Sequence, residues 1–293
     1  MRLTVPLLLV VLGELIAERS GVINIGLEGK MLAGAYAGFL VMADTQSVVL
    51  SALAAMIAGS AVAVIMCGLA IWQRINQILV GFGIFVMVPG FVAFLHQQQE
   101  RLIVTPLLET WAIPGLSDIP LIGRALFAQN VFYYTTVALC IVVWILLNKT
   151  RFGLSLSACG HQPEVALSKG ISVTRTRIFA TLICGVLAGL GGAALSVGAL
   201  GSFTGEITDG RGFIAIAVVI LGRWQVGWAV IAALAIGLSE AFRLRLGSQI
   251  DLPVQILAML PWIVVLIMLV AGARFTNIPR ALGRNLGVSQ AVN

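Results

Sequence analysis

The polar residues of this sequence that are suited to binding a ligand are concentrated in two glycine-rich stretches set between long apolar runs. The first, GVINIGLEGK at residues 21–30, contains Asn24 and Glu28, and the second is GEITDGRG at residues 205–212. Amide, carboxylate and guanidinium groups form hydrogen bonds and ion pairs with polar solutes. They indicate a site that binds a solute without breaking its bonds, because no catalytic set of residues accompanies them.

Patterns typical of enzymes and metal sites are missing from the sequence. The stretch GLEGKML resembles a phosphate-binding loop, but the first glycine of that motif would fall on Asn24 and its hydroxyl residue on Met31. No GxSxG elbow or HExxH zinc motif occurs. The cysteines and histidines have no ligand or disulfide spacing. They are Cys67, Cys140, Cys159, Cys184, His96 and His161. We therefore expect no catalytic residue, no metal and no cofactor.

The composition is that of a membrane protein. The chain has 293 residues, of which 59% are hydrophobic and only 10% are charged, and its mean hydropathy is +1.04. Long apolar stretches of this kind are typical of membrane spans. The formal net charge of +6 does not indicate nucleic acid binding, because the basic residues cluster in loops. An excess of Lys and Arg in loops marks the cytoplasmic side of a membrane protein.

Apolar stretches divide the chain into about nine membrane segments. They lie at 3–17, 27–43, 48–71, 77–95, 131–148, 178–200, 210–222, 228–246 and 253–272. A full span needs about 20 residues, so the first, second and seventh are either tilted or halves of broken helices. The predicted fold is an all-α polytopic membrane helix bundle with some discontinuous segments. It forms a single transmembrane domain over residues 1–293.

Charge in the long connections predicts the orientation in the membrane. Residues 149–177 carry five basic residues against one acid, and the tail from residue 273 carries three arginines and no acid. The connection 96–130 is the more acidic one. It carries Arg101 and Arg124 against Glu100, Glu109 and Asp118. The first two regions are therefore expected in the cytoplasm and 96–130 outside. Nine crossings then place the N-terminus outside. They also place Arg243 and Arg245 outside, against the charge bias. A count that differs from nine by one is therefore an alternative.

The first break, residues 21–30, interrupts a membrane segment with polar groups. Backbone groups in a membrane must be satisfied inside protein or beside a water-filled cavity, and transporters use such broken helices to bind solutes. Asn24 and Glu28 are four residues apart and would share one face of a helix. Glu28 is expected to line the passage or to pair with Lys30 or Arg211. The alternative is an ordinary cytoplasmic loop with solvated charges.

The second break, residues 205–212, is followed by an apolar run of small residues, as the first break is. Corresponding breaks in two halves of a chain indicate an internally repeated transporter. Together the breaks give six candidates for a translocation path. They are Asn24, Glu28, Phe203, Glu206, Asp209 and Arg211. A neutral hydroxylated solute would use Asn24, Glu206 or Thr208 for hydrogen bonds and Phe203 as an aromatic face. A solute with a carboxylate would use Arg211.

The stretch GHQPEVALSKGI, residues 160–171, carries the start and stop signals of a short helix. Pro163 suits the first helical position and Glu164 suits the positive N-terminal end. Lys169 suits the last turn, and Gly170 suits the position just after the helix. So definite a helix between two membrane segments indicates a docking site for another protein. A solvated turn is the alternative.

Small residues recur at the spacing that lets membrane helices approach closely. Gly34 and Gly38 form one GxxxG pair, and Gly185 and Gly189 form another. Packing within the chain is favoured over a seam between two copies.

Four stretches resemble a known family. They are GHQPEVALSKGI, ERSGVINIGLEGKMLAGAYAG at 18–38, DGRGFIAIAVVILGRWQ at 209–225, and LPVQILAMLPWIVVLIMLVAG at 252–272. They are similar to ABC importer permeases of the branched-chain amino acid, ribose and nucleoside superfamily. ERSGVINIGLEG is most like the nucleoside or simple-sugar branch. The resemblance covers nearly the whole chain; one departure is Val165, where an alanine is usual.

The resemblance implies a transport subunit and its partners. These would be ABC ATP-binding subunits, a second similar permease, an extracytoplasmic solute-binding protein and a small-molecule solute, with no nucleic acid. The location would be the bacterial cytoplasmic (inner) membrane, and transport would proceed by alternating access. Six residues would form the helix that docks in the ATPase groove: His161, Pro163, Glu164, Ala166, Lys169 and Gly170. The resemblance assigns no solute site residue by residue.

Three alternatives remain at this stage. The solute is a branched-chain amino acid rather than a nucleoside or sugar, or the chain is an ion-coupled secondary transporter. The latter would recruit the acids Glu14, Glu28, Asp209 and Glu240. A membrane-embedded enzyme is the third, and it lacks the clustered catalytic groups that it would need.

Overall fold

The chain is almost entirely helical in the computed structural model, which describes residues 3–99, 105, 108–112, 114–115, 117, 123–247, 254–272 and 278–284. Its main helices are α1 (Thr4–Arg19), α2 (Leu27–Thr45), α3 (Val48–Met66), α4 (Gln77–Gln97), α5 (Gly123–Phe127), α6 (Val131–Lys149), α7 (Arg151–His161), α8 (Pro163–Ser168), α9 (Val173–Ala193), α10 (Arg211–Leu221), α11 (Val226–Gly247), α12 (Val254–Ala258) and α13 (Leu260–Gly272). π-Helical segments extend α3 over Cys67–Trp72 and α9 over Ala194–Leu200.

The prediction of an all-α fold is confirmed for these residues apart from one small sheet. Two-residue strands, β1 (Trp111–Ala112) and β2 (Ala128–Gln129), pair antiparallel within the predicted outer connection. Some charges used above for the orientation lie outside the described residues. They are Glu100, Arg101, Asp118 and Arg274, together with the side chain of Arg124.

Helices occupy each predicted apolar segment, but length and apolarity establish only some of them as membrane spans. Among the described residues, four helical stretches are long and apolar enough to cross a membrane: Val48–Trp72, Gln77–Gln97, Val131–Lys149 and Val173–Leu200. Two shorter apolar helices are Arg211–Leu221 and Ile256–Val270. The chain is therefore a multi-pass membrane protein, and the number of nine segments is not established by this measure.

Helix α1 forms the centre of the bundle. Every residue from Thr4 to Glu18 is buried, and the helix packs against α9, α10 and α11. Its apolar side chains and its two acids, Glu14 and Glu18, are thus all enclosed by neighbouring helices. The outer helices α3, α4 and α6 instead expose large apolar side chains such as Ile57, Phe82 and Ile141. These surfaces suit contact with lipid tails, because apolar side chains cover the outside of the helices and the backbone hydrogen bonds are formed within them.

Glycines bring α2, α3 and α9 into direct backbone contact. A Cβ atom added at Gly34 would lie 2.3 Å from Cα of Gly189, and one at Gly59 would lie 2.3 Å from the carbonyl oxygen of Gly185. A side chain at either position would therefore separate the helices. The predicted packing within the chain is confirmed, since these glycine faces are covered by helices of the same chain.

The bundle has two ends that differ in what covers them. At one end, called here the α8 end, α7 and the segment 278–284 lie against the end of α1, through Gly160 and Gly21, and α8 packs on α7 and α9. At the opposite end, Thr105 donates its backbone N–H to the carbonyl of Gly201 at 3.0 Å. The predicted basic and acidic connections thus lie at opposite ends.

Candidate functional site

Helix α8 ends as the sequence predicts. Pro163 occupies its first turn, Glu164 follows, and Gly170 has φ +79°. The N–H of Ile171 reaches the carbonyl of Ala166 at 3.0 Å, and the N–H of Gly170 reaches that of Leu167 at 3.0 Å. This pair of bonds is the Schellman motif, which requires a left-handed residue after the helix. Glycine adopts that conformation without a steric cost.

The exposed surface of α8 differs from the set of residues expected to dock. Ala166 is buried against Cys159 and Val173, so it anchors α8 to α7 and α9 and exposes little surface of its own. The sequence analysis missed the exposed apolar neighbours, Val165 and Leu167, which are 51% and 49% exposed. Apolar side chains exposed beside polar ones are typical of protein interaction sites.

A small cavity lies beside α8. Its volume is about 170 Å³, and Val165, His161 and Lys169 contribute to its lining. That is room for one or two side chains of a partner protein. Glu164, Lys169 and His161 are exposed around it. These three side chains are thus accessible at the surface.

Helix α7 was not predicted, although it carries a helical stripe. Thr150 accepts a hydrogen bond from the N–H of Gly153 at 3.2 Å and caps the start. Gly153, Leu156 and Gly160 are buried at three- and four-residue intervals. Burial raises the pKa of the Cys159 thiol, so this thiol is a packing group rather than a reactive one.

The first break begins at the α8 end and is fixed there by a buried arginine. Arg177, on α9, donates from Nε to the carbonyl of Ser20 at 3.1 Å and from Nη1 to that of Arg284 at 2.7 Å. Gly21 has φ +89°, and its carbonyl accepts the N–H of Gly283 at 3.0 Å. The break is therefore no solvated loop, because it is enclosed by α9 and the segment 278–284.

Asn24 is fully buried, and its polar atoms are used inside the bundle. Its Nδ2 donates to Oε2 of Glu14 at 3.0 Å and lies 3.3 Å from Sγ of Cys184, while its Oδ1 accepts from Nζ of Lys30 at 2.5 Å. Asn24 and Glu28 would share a face only if the whole break were helical, and that condition is not met, because α2 begins at Leu27. In this conformation Asn24 joins a buried acid to a buried base.

Glu28 connects the first break to the second. Its Oε1 accepts the N–H of Gly210 at 3.0 Å, and its Oε2 accepts the N–H of Gly212 at 2.6 Å. These are free donors at the start of α10, where a carboxylate also interacts favourably with the helix dipole. The predicted pairing of Glu28 with Lys30 or Arg211 is wrong. A carboxylate satisfied by backbone groups needs no cationic partner.

Two charged residues of the second break, Arg211 and Asp209, pair with α11. Arg211 forms a buried ion pair with Glu240, and Glu240 also accepts from Nη2 of Arg243 at 3.4 Å. Asp209 lies 3.9 Å from Nη1 of Arg243, with its own side chain 69% exposed. Of the predicted path residues here, Glu206 and Asp209 are exposed and Arg211 is enclosed.

Phe203 lies in a cluster of rings at the end opposite α8. Its ring centroid is 5.1 Å from those of Tyr36 and His96 and 6.0 Å from that of Phe39. Nδ1 of His96 is buried and has no hydrogen-bond partner among the described residues. The sequence analysis set His96 aside because it has no metal-ligand spacing, and the structure now places it beside a predicted path residue.

The six path candidates therefore form two groups. Asn24 and Glu28 lie within the bundle and hold other elements in place. Arg211 belongs to the same group, because its ion pair with Glu240 holds α10 to α11. Phe203, Glu206 and Asp209 lie between the ring cluster and the start of α10. The first group stabilises the broken segments. The second group includes the only exposed polar members of the predicted set.

Comparison with known proteins identifies the family. Residues 1–273 match the family described as "Branched-chain amino acid transport system / permease component". The guanosine ABC transporter permease protein NupQ of Bacillus subtilis is 34% identical over 95% of this chain and 92% of its own length. The nucleoside ABC transporter permease protein NupC of Lactococcus lactis is 32% identical over 96% of this chain and 92% of its own.

An archaeal relative extends the comparison. The putative glucose ABC transporter permease protein TsgC13 of Haloferax volcanii is 36% identical over 82% of this chain and 74% of its own length. No solved structure matches the chain significantly. With a family match over residues 1–273 and relatives that align along almost all of its length, the chain belongs to the branched-chain amino acid transport system permease family.

Proposed function

We propose that this permease carries a nucleoside or a simple sugar into the cell by alternating access. The chain is the membrane permease subunit of an ABC importer and is not an enzyme, since a partner ATP-binding subunit hydrolyses ATP. A solute-binding protein is the other partner that the family implies. The choice of solute is supported by relatives named for guanosine, nucleosides and glucose. A second, similar permease subunit completes the proposed transporter.

The observation that carries the mechanism is a continuous set of contacts from α8 to α10. Helix α8 packs on α7, and Gly160 of α7 lies against the backbone of Arg19, where an added Cβ would be 2.2 Å from the carbonyl oxygen. Arg19 is followed by the first break, whose Glu28 holds the start of α10. A displacement of α8 by the ATPase would thus be passed to the second break through the close contact of α7 with Arg19 and then through the Glu28 carboxylate.

The membrane topology that we propose has about nine segments, with residues 149–177 and the C-terminus in the cytoplasm. Residues 201–221 serve as one interrupted segment. Gly201 contacts Thr105 at one end, and α10 leads to Trp224, which bonds to Glu18 and Arg19 at the α8 end. Helix α10 itself, at 11 residues, is about 16 Å long, which is half a membrane.

Arg243 then lies on the outer half of α11, where the positive-inside rule disfavours it. Its contacts with Glu240 and Asp209 supply the compensating charge. Membrane insertion of such an arginine is less costly when a carboxylate partner is present.

The proposed solute path runs past the second group of candidates, Phe203, Glu206 and Asp209. Phe203 is only 6% exposed in this conformation, so the proposal requires the ring cluster to open before its aromatic faces stack on planar rings or cover the apolar face of a sugar. Glu206 and Asp209 offer acceptors for hydroxyl groups. The structure gives Arg211 an ion pair with Glu240, so the residue suggested for a carboxylate solute is already neutralised. This favours a neutral solute over a branched-chain amino acid.

Reconstitution tests the proposal. Proteoliposomes with the permease pair, the ATP-binding subunits and the solute-binding protein are supplied with labelled guanosine, glucose or leucine. We expect ATP-dependent accumulation of guanosine or glucose. Accumulation of leucine would overturn the solute assignment, and uptake by this chain alone along an ion gradient would overturn the ABC mechanism.

A further inference from the structure

A basic depression lies at the α8 end, beside the coupling helices. Its volume is about 470 Å³, and its lining includes the guanidinium-bearing residues Arg19, Arg223 and Arg280 together with His161. No acidic residue lines it among the described residues. The buried Glu18 lies behind it and accepts the indole N–H of Trp224 at 2.6 Å. The depression therefore presents positive charge to whatever occupies it.

A second depression adjoins the first and has a different character. Its volume is about 580 Å³, and it shares Arg19 and Gln225 with the basic one. It runs between α6 and α11, where Trp144, Trp228 and Ile231 line it. Trp144 is 46% exposed and Trp228 is 53% exposed. Tryptophans at the outer surface of a membrane protein mark the level of the lipid headgroups.

We infer that the two depressions together bind one anionic phospholipid of the cytoplasmic leaflet. The headgroup, with its negatively charged phosphate, lies in the basic depression against Arg19, Arg223 and Arg280. The acyl chains follow the groove between α6 and α11, against Trp228 and Ile231. Basic pockets between membrane helices on the cytoplasmic side recognise acidic headgroups in this way. A free phosphate would occupy only the first depression and would leave the apolar groove uncovered.

The placement of the headgroup suggests a consequence for coupling. The depression joins α7, the end of α1 and the turn between α10 and α11, through His161, Arg19 and Trp224. The first two lie on the proposed route from α8 to the second break, and the third follows α10, the helix at the end of that route. A bound headgroup would contact basic side chains of these elements at the same time and so hold the elements together. It would thereby change how easily a movement of α8 displaces them.

Lipid retention by the assembled transporter tests the inference. The complex is reconstituted in nanodiscs that contain equal amounts of phosphatidylglycerol and phosphatidylcholine. It is then released from the nanodiscs, and the lipid that stays bound is identified by mass spectrometry. We expect selective retention of phosphatidylglycerol. Arg280→Gln should weaken it about fivefold, equal to about 1 kcal/mol. Arg175→Gln, which removes an exposed arginine elsewhere at this end, should leave it unchanged.

Three results would overturn the inference. Equal retention of both lipids would show no headgroup selection, and an equal effect of Arg175→Gln would show only general surface charge. Weakened association of the ATP-binding subunits in Arg280→Gln, without a change in lipid, would assign the depression to the ATPase. Addition of millimolar inorganic phosphate distinguishes a free anion, because it should not displace the lipid. The test does not depend on solute uptake, so its failure leaves the proposed function untouched.

Discussion

Glu28 and Gly212 lie 184 residues apart in the sequence, yet Oε2 of the first accepts the backbone N–H of the second at 2.6 Å. A Cβ atom at Gly212 would lie 2.6 Å from the backbone nitrogen of Glu28. Only glycine therefore permits the contact. The two glycine-rich breaks are thus parts of one arrangement, in which the start of α2 supplies the carboxylate that the start of α10 lacks.

We predict that Glu28→Gln separates the two breaks. The amide keeps the size of the side chain but removes the charge, and one of its two ends donates instead of accepting. Hydrogen bonds to charged groups contribute about 2 kcal/mol, so a clear fall in thermal midpoint is expected. Uptake per inserted protein should fall about tenfold, since about 1.4 kcal/mol changes a rate tenfold. Asp44→Asn, at the exposed end of α2, is the matched control. Wild-type uptake in Glu28→Gln would show that the contact has no role in transport.

The conformation of Gly170 gives a prediction for coupling. A valine there must adopt φ +79°, although nothing lies within 4 Å of its Cβ position. The effect is therefore backbone strain without a clash, of about 1–2 kcal/mol. We expect Gly170→Val to weaken association with the ATP-binding subunits and to lower uptake, while membrane insertion stays normal. Gly170→Asn should retain both, because asparagine tolerates this conformation. Full ATPase binding by Gly170→Val would argue against α8 as the docking helix.

The buried group around Asn24 gives a prediction for stability. Lys30→Met removes the base whose Nζ bonds to Asn24 and leaves Glu14 as a buried acid. Loss of one member of a buried charged set typically costs about 3–5 kcal/mol. We expect little folded protein after detergent extraction. Adding Glu14→Gln should restore part of it, because the charge is removed and the acceptor is kept.

Lys149→Met is the control for that experiment, since Lys149 is exposed at the end of α6. The measurement is the thermal midpoint by fluorescence-detected gel filtration. If Lys30→Met and Lys149→Met had equal midpoints, Lys30 would have no structural role. Asn24→Leu should lower the midpoint for the same reason, because it removes the hydrogen-bond partner that Glu14 and Lys30 share.

Orientation is tested by labelling from outside the cell. A membrane-impermeant thiol reagent should modify Ser117→Cys and leave Ser168→Cys unmodified, since the two lie on the acidic and the basic connection. Cys159 is fully buried, so it adds little background, and it is changed to Ala with the other thiols. Modification of Ser168→Cys in intact cells would reverse the proposed topology. Disruption of the cells should then expose Ser168→Cys in either case, which controls for reactivity.

Local rules predicted the parts of the structure that local sequence determines. Apolar length placed the helices, and the signals at Pro163 and Gly170 placed both ends of α8. The spacing of Gly34 and Gly189 within their own helices predicted close packing. Helix α7 was not predicted, because two positions of its buried stripe are glycines, Gly153 and Gly160, and an apolar side chain is the usual signal there. Thr150 before that stripe was the available signal.

The partners of the polar residues were not predictable in this way. Asn24 bonds to Cys184, and Arg177 bonds to Ser20, across 160 and 157 residues of sequence. No periodicity in a single segment encodes such distances. Asn24 and Glu28 of the first break are enclosed, whereas Glu206 and Asp209 of the second are exposed. Only the folded bundle reveals that Glu28 accepts backbone N–H groups and that Arg211 pairs with a carboxylate.

The glycine contacts among α2, α3 and α9 have a mechanical consequence. Where main chains touch, no intervening layer of rotamers is available to rearrange, so relative sliding of these helices would force backbone atoms together. The three helices should therefore move as one stiff block. Helix α10 contacts α1, α11 and α13 and is held to α2 by Glu28, and among its described residues only Gly212 makes such a glycine contact with that block. The hinge of the transport cycle is accordingly expected at Gly212, with the block as its fixed frame and α10 as its moving arm.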